Sequence, residues 1–382
     1  MNNFLAITAF LKLRSSAFVK MLDLLEYHSF RIFIILILLF FPLTLDIYSL
    51  SLLAKYLCLS FPAVGIVLFW GYGGILSLGQ GIFFGIGGYL MAMFLKLEAA
   101  TSSEASSSNA LASYFGSTGL PDFMVWNGIE KLPWFWKCSQ SMPMTIVLII
   151  VLPFLVSFLL SYLNFRKSIS GVYFTIVTLA LSGIVSIVII GQQGYTGGIN
   201  GITDFRTFDG VDLDTVQSKY VMYFITCGLL ICTVFFGRFI ILSRAGNVLR
   251  AIRDEDDSLR FLGYNTPLFK SVIFSIGSVF ASIGGAMFTI QTGLASPSLI
   301  GIATSIEMVI YAAIGGRLSL VGAVYGSVIV NGAKTYFSGN FVEYWTYFIG
   351  FIYLFVVLYL PFGLASLSSR FKASLQNRRL KK

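Results

Sequence analysis

The length of the apolar blocks constrains this chain more than any other feature. A helix needs about 20 residues to cross the roughly 30 Å hydrocarbon layer of a membrane. Such blocks recur near 32–53, 55–71, 81–97, 144–163, 171–190, 220–242, 268–291, 299–315, 318–337 and 341–362. They are continuous, unlike the alternating stretches of an outer-membrane barrel. Only 11% of the 382 residues are charged, against roughly 25% in a soluble domain, so the polar skin of a soluble globule cannot be assembled. The expectation is an all-α polytopic membrane protein of about 8–10 transmembrane helices, because several blocks are short enough to be half-helices or re-entrant pieces.

Charge placement orients the spans. Lys and Arg near the membrane are retained on the cytoplasmic side. With the amino terminus inside, nineteen of the 26 basic residues fall inside and seven outside. Lys12 and Arg14 follow the first apolar run instead of preceding it, the reverse of a cleaved signal peptide. The expected organisation is a cytoplasmic lead-in over 1–31 and a membrane domain over 32–362, with an outer loop at 98–141 and an inner loop at 243–267. A basic cytoplasmic tail over 363–382 completes it. Within the outer loop, 101–113 is a Ser/Ala-rich insert, and Trp126, Trp134 and Trp136 have the character of interfacial anchors.

The chemistry available is narrow. His28 is the sole histidine, which excludes paired-histidine zinc motifs and makes a Ser-His-Asp triad implausible. Cys58, Cys138, Cys227 and Cys232 form neither a CxxC pattern nor a disulfide framework. No metal site is expected. No Gly-Lys dipeptide exists, so the loop that cradles ATP phosphates is missing. If ATP drives transport, ATP and Mg belong to a separate subunit, and no cofactor belongs to this chain.

The inner loop is where such a subunit would dock. In SRAGNVLRAIRDEDDSLRFLGYN (243–265), Val248, Leu249, Ile252, Leu259 and Leu262 repeat at mostly helical intervals. Arg250, Arg253, Asp254, Glu255, Asp256, Asp257 and Arg260 form a mixed-charge cluster, and Gly263 ends the helical run. A short charged helix with an apolar face suits a soluble partner; a solvated, salt-bridged connector is the alternative.

GGILSL (73–78) recurs as GGRLSL (315–320), an echo that suggests duplicated halves of the kind transporters build around broken helices. GQQGYTGGINGITDF (191–205) is too rich in glycine for ordinary helix and reads as an outer gate or a plain turn. Glu307 is the clearest ionisable group within a span, a functional candidate by default, or an acceptor for helix-end amides or Arg317. Lys334 is expected to snorkel to the outer interface. Tyr72, Ser77, Gln80, Gln192, Asn200, Glu307 and Tyr311 are the candidates for a translocation pathway.

GYGGILSLGQGIFFGIGGYLMAM (71–93), VYFTIVTLALSGIV (172–185), the 191–205 segment, LRAIRDEDDSLRFLGYN and IGGRLSLVGAVYGSVIVNGAKTYFS (314–338) resemble the permeases of branched-chain amino acid and urea ABC importers. The resemblance runs from about residue 54 to 368. Within that family, LPDFMVWNG, the Gln-Gln of GQQGYTGG, SPSLIGIATSIEMVIYAAIGG and NGAKTYFSGNFVEYWTYFIG are most similar to the second permease subunit of bacterial urea importers. The chain departs at the 101–118 insert and at Ile199, where the family has Thr.

The resemblance implies a type II ABC importer permease in a bacterial inner membrane, with 244–263 as the coupling helix; the distribution of Lys and Arg puts both termini in the cytoplasm. It implies a homologous second permease, two cytoplasmic ATP-binding subunits and a periplasmic binding protein as partners, and no nucleic acid. Urea is the cargo the subfamily resemblance implies, and the mostly neutral donors and acceptors among the pathway candidates lean the same way. A branched-chain amino acid is the alternative cargo within the same family. A lone secondary transporter using Glu307 as ion carrier, and an intramembrane enzyme, are the rivals from other classes.

Overall fold

The computed structural model describes residues 30–106 and 120–341, except 168, 170, 206 and 209, and a few single positions beyond. The chain divides into two compact units, residues 1–46 and 47–382. In the first, α1 (Phe30–Thr44) is apolar but short. Most of the 1–31 lead-in, His28, most of the 101–113 insert, most of the candidate span 341–362 and most of the tail lie outside the described residues.

The second unit is helical. Six helices are long and apolar enough to cross a membrane: α2 (Ile47–Tyr72), α3 (Gln80–Ser106), α6 (Met142–Arg166), α7 (Val172–Gly191), α9 (Val216–Leu242) and α12 (Thr266–Thr292). Short helices α4 (Asp122–Trp126) and α5 (Trp134–Lys137) follow α3, and α8 (Gln193–Thr196) follows α7. A two-stranded antiparallel ribbon, β1 (Thr207–Phe208) and β2 (Val211–Asp212), precedes α9. Helices α10 (Arg244–Asp254) and α11 (Asp256–Phe261) link α9 to α12. Last come α13 (Ile302–Gly315) and α14 (Leu320–Asn340), whose axes turn through 118° at the intervening break.

The all-α polytopic expectation holds, with six spans among the described residues, or seven if the bent pair counts as one. The predicted boundary near residue 54 is wrong. α2 runs through Lys55 without interruption because one cation does not break a helix, and the chain turns at Leu45 instead, where the backbone is extended. The outer connection also starts later than residue 98, since α3 continues to Ser106.

Three helices form the core. The apolar windows of α2, α3 and α12 are 78, 83 and 78% buried, whereas those of α6 and α7 are only 22% buried and leave their aliphatic faces for lipid. Small residues set the close approach: a methyl at Gly285 of α12 would overlap the carbonyl oxygen of Phe84 on α3. Between the helices Phe274 packs edge-on against Phe69, Phe83 and Phe174, tying α2, α3 and α7 to α12.

Pro153 lies inside α6 and removes the N–H that would bond the Ile149 carbonyl. In lipid that acceptor must find another donor, and the buried Ser282 hydroxyl of α12 donates to it at 2.8 Å. Ser282→Ala is expected to lower unfolding free energy in mixed micelles by about 1–2 kcal/mol. In a Pro153→Ala background, where α6 closes its own bond, most of that loss should vanish; an equal loss in both backgrounds would contradict the pairing.

Candidate functional site

Both copies of the echo are breaks between helices. GGILSL occupies the non-helical run between α2 and α3, and GGRLSL ends α13 and holds the turn into α14. Beyond the first break, a cluster of hydroxyls surrounds the start of α3. Thr175, Thr178 and Ser182 are buried on one face of α7 at three- and four-residue steps. Thr175 donates to the Leu76 carbonyl at 2.8 Å, and Thr178 accepts from the Leu78 amide at 3.2 Å. Ser182 donates to the Ile300 carbonyl and lies 3.2 Å from Ser305, which accepts from the Gly81 amide.

Ser77 and Gln80 sit at this junction with fully buried side chains. Ser77 accepts from the Gly79 amide at 3.3 Å. Neither carboxamide atom of Gln80 has a hydrogen-bond partner among the described residues. A buried polar group without a partner is destabilising by about 1–3 kcal/mol, so Gln80 is a buried pathway candidate whose chemistry the described residues leave unused.

The other candidates lie elsewhere. Gln192 and Asn200 are exposed on the connection after α7. There Gly197, Gly198 and Gly201 adopt positive φ, and Ile202 pairs with Ala295 through two backbone bonds of 2.9 and 3.0 Å. The segment is thus an ordered turn. Glu307 is ion-paired with Lys334 at 2.8 Å and accepts from the Tyr311 hydroxyl at 3.0 Å. Tyr311 also bonds Asn331 of α14. Lys334 therefore does not snorkel away, and its pairing with Glu307 replaces the predicted Arg317 or amide partners: α13 and α14 fold side by side, which brings the two residues together. Tyr72 faces α10 and is described below.

At the α10–α11 end, the apolar face is turned inward. Leu249, Ile252 and Leu259 are buried against the membrane domain, so they are not the docking face the spacing suggested. Asp256 is not part of an outward acidic cluster either. It accepts from Arg260 at 3.0 Å and from Lys270 of α12 at 2.7 Å. Burial pushes its carboxyl up, but Lys270, Thr266 and Arg260 outweigh that and hold it below the usual carboxylate value. This stabilisation is present at neutral pH and is lost as pH falls through that lowered value.

Asp254, Glu255, Asp257 and Gly263 face solvent, and Arg253 chelates Asp254 Oδ1 through two nitrogens. The outward apolar surface is Phe261 and Leu262, 91 and 74% exposed, next to Gly263 at φ 86°. Sequence reasoning missed Phe261; its signal was an apolar pair placed directly after a charged helix and before a helix-ending Gly.

At the opposite ends of α2, α9 and α12 is a cavity of about 370 Å³. Its lining mixes Lys55, Lys219, Asp204 and Asp214 with Phe205 and Met222. Nearby, Lys96 bonds Asp122 at 2.9 Å and ties α4 to α3. Trp126 and Trp134 are exposed, as anchors would be, but Trp136 is buried and donates to the Tyr195 carbonyl at 3.0 Å. No cluster of metal-ligating residues is found among the described residues.

The family described as branched-chain amino acid transport system, permease component, matches residues 48–358. The high-affinity branched-chain amino acid transport system permease protein LivM of Salmonella typhimurium is 24% identical, over 79% of this chain and 66% of its own length. LivM of Escherichia coli is 23% identical, over 84 and 69%. The corresponding BraD of Pseudomonas aeruginosa is 28% identical over 33% of this chain and 41% of its own. The chain thus spans about two thirds of the length of the LivM relatives. Their names fit the branched-chain amino acid alternative better than urea. No solved structure matches the chain.

Proposed function

Because the chain belongs to the family of permease components of branched-chain amino acid transport systems, membrane subunits of ABC transporters and not enzymes, we propose that it passes urea inward by alternating access. ATPase and substrate-binding partners go with that family. In the proposed assembly they are two cytoplasmic ATP-binding subunits and a periplasmic binding protein, with a homologous second permease beside this one. The proposed setting is a bacterial inner membrane with both termini and the α10–α11 end cytoplasmic, in accord with the distribution of Lys and Arg.

One observation carries the choice of cargo: the buried carboxamide of Gln80, without a hydrogen-bond partner among the described residues, lies in a junction lined by neutral hydroxyls. Urea is a small, planar amide with four N–H donors and one carbonyl acceptor, complementary to a carboxamide and to hydroxyls. Nothing in that junction asks for a charged cargo. The resemblance of LPDFMVWNG and the 296–316 segment to urea permeases supports the same reading.

A second reading is favoured by the relatives' names and by the cavity at the other end. Two lysines, two aspartates and apolar walls are what a zwitterionic aliphatic amino acid would require. ATP hydrolysis by the complete complex in nanodiscs separates the two. Stimulation by urea-loaded binding protein is expected; stimulation by leucine-loaded protein alone would move the assignment to the second reading.

A further inference from the structure

The end of α2, just before the first copy of the repeated sequence, meets the second copy, and α10 grips the place where they meet. Gly71, in the last turn of α2, packs so closely that a methyl there would overlap the Arg317 carbonyl oxygen in the second break. The next residue, Tyr72, donates its hydroxyl to the Leu318 carbonyl at 2.8 Å. From α10, Arg253 Nη1 donates to the Gly71 carbonyl at 3.0 Å, and its stem lies against Gly74. Arg250 stacks over the Tyr72 ring, 5.5 Å from its centroid.

We infer that Arg250 and Arg253 are positioning residues that transmit movement of α10 into the junction of the two helix breaks, and that this junction is the gate at the α10 end. This rests on the proposal that the 244–263 segment contacts the ATPase. The parts are arranged in series. Phe261 and Leu262 face outward, Arg250 and Arg253 face the first break, and Tyr72 joins the first break to the second. The Arg253 link is a charge-assisted hydrogen bond, stronger than a neutral one, and the Arg250 link is a cation–π contact. The receiving element is irregular: α2 widens to a π-type turn over Val67–Tyr72, a feature frequent at functional sites. A displacement of α10 therefore shifts Gly71 and Tyr72 first, and through the Tyr72 hydroxyl it moves the turn between α13 and α14.

The test uses the complete complex in proteoliposomes, with solute uptake and ATP hydrolysis read from the same vesicles. Arg250→Met with Arg253→Met, and separately Tyr72→Phe, should each lower solute taken up per ATP hydrolysed by tenfold or more. Arg253→Lys, which keeps a cationic donor, should recover part of the ratio in an Arg253→Met comparison. An unchanged ratio in Tyr72→Phe, a substitution that removes one hydroxyl and leaves the ring, would overturn the inference. Co-purification of the ATPase subunits with Phe261→Ser plus Leu262→Ser checks the underlying contact separately: retained association there would sink the docking assignment while leaving the Tyr72 result to stand or fall alone.

Discussion

Replacing Phe261 and Leu262 together by Ser is expected to weaken binding of the ATPase subunits by about a thousandfold. Both side chains are almost fully exposed in the isolated chain, and an apolar pair at the end of a charged helix is a poor use of surface unless something covers it. Anchors of this kind typically contribute about 2 kcal/mol or more each when buried in a partner, and roughly 1.4 kcal/mol is a factor of ten. The neighbouring charges are not equivalent. Asp257 is exposed and belongs to the rim, so Asp257→Ala should change affinity by less than about threefold. Titration of the detergent-solubilised chain with ATPase subunits checks both. Equal effects of the two changes would contradict the assignment of Phe261 and Leu262 as anchors.

Gln80→Leu is expected to move uptake and stability in opposite directions. Leu keeps much of the volume and removes two buried polar atoms that have no partner among the described residues, so the folded protein should be as stable or more so. Uptake of urea should fall by roughly 30-fold, the loss of about 2 kcal/mol of hydrogen bonding to the passing solute. Thermal unfolding and initial uptake rates, measured on the same preparation, decide the matter. A Gln80 that serves only to hold the junction together would show both quantities falling.

Much of the fold was legible because membrane physics leaves few choices. Apolar blocks near twenty residues located α3, α6, α7, α9 and α12 closely, and Gly191 and Thr292 end their helices near the predicted positions. The first two blocks misled because they part near residue 54, inside α2. A lysine inside a span is tolerated where it reaches a polar cavity, and that cavity is assembled from the ends of three helices far apart in sequence.

The site was legible in pieces. Ser77 and Gln80 were recognisable beside the repeated glycines, and Thr175, Thr178 and Ser182 form a helical stripe that the spacing alone could have found. The pairing of Glu307 with Lys334 depended on a 118° turn between two helices, which hydropathy does not encode. The inward turn of Asp256 was hidden for a related reason. Four consecutive acids look alike in sequence, and only the approach of Lys270 from α12 singles one of them out. That the end of α2, just before one echoed segment, would touch the other through Tyr72 and Leu318 was beyond any local pattern.

Urea import is measured by ATP-dependent uptake of labelled urea beside labelled leucine, in proteoliposomes holding this chain with the proposed second permease, ATPase and binding-protein partners. The expected result is urea accumulation that requires ATP and leaves leucine outside. Leucine accumulation without urea, or accumulation of either by this chain alone down an ion gradient, would contradict it.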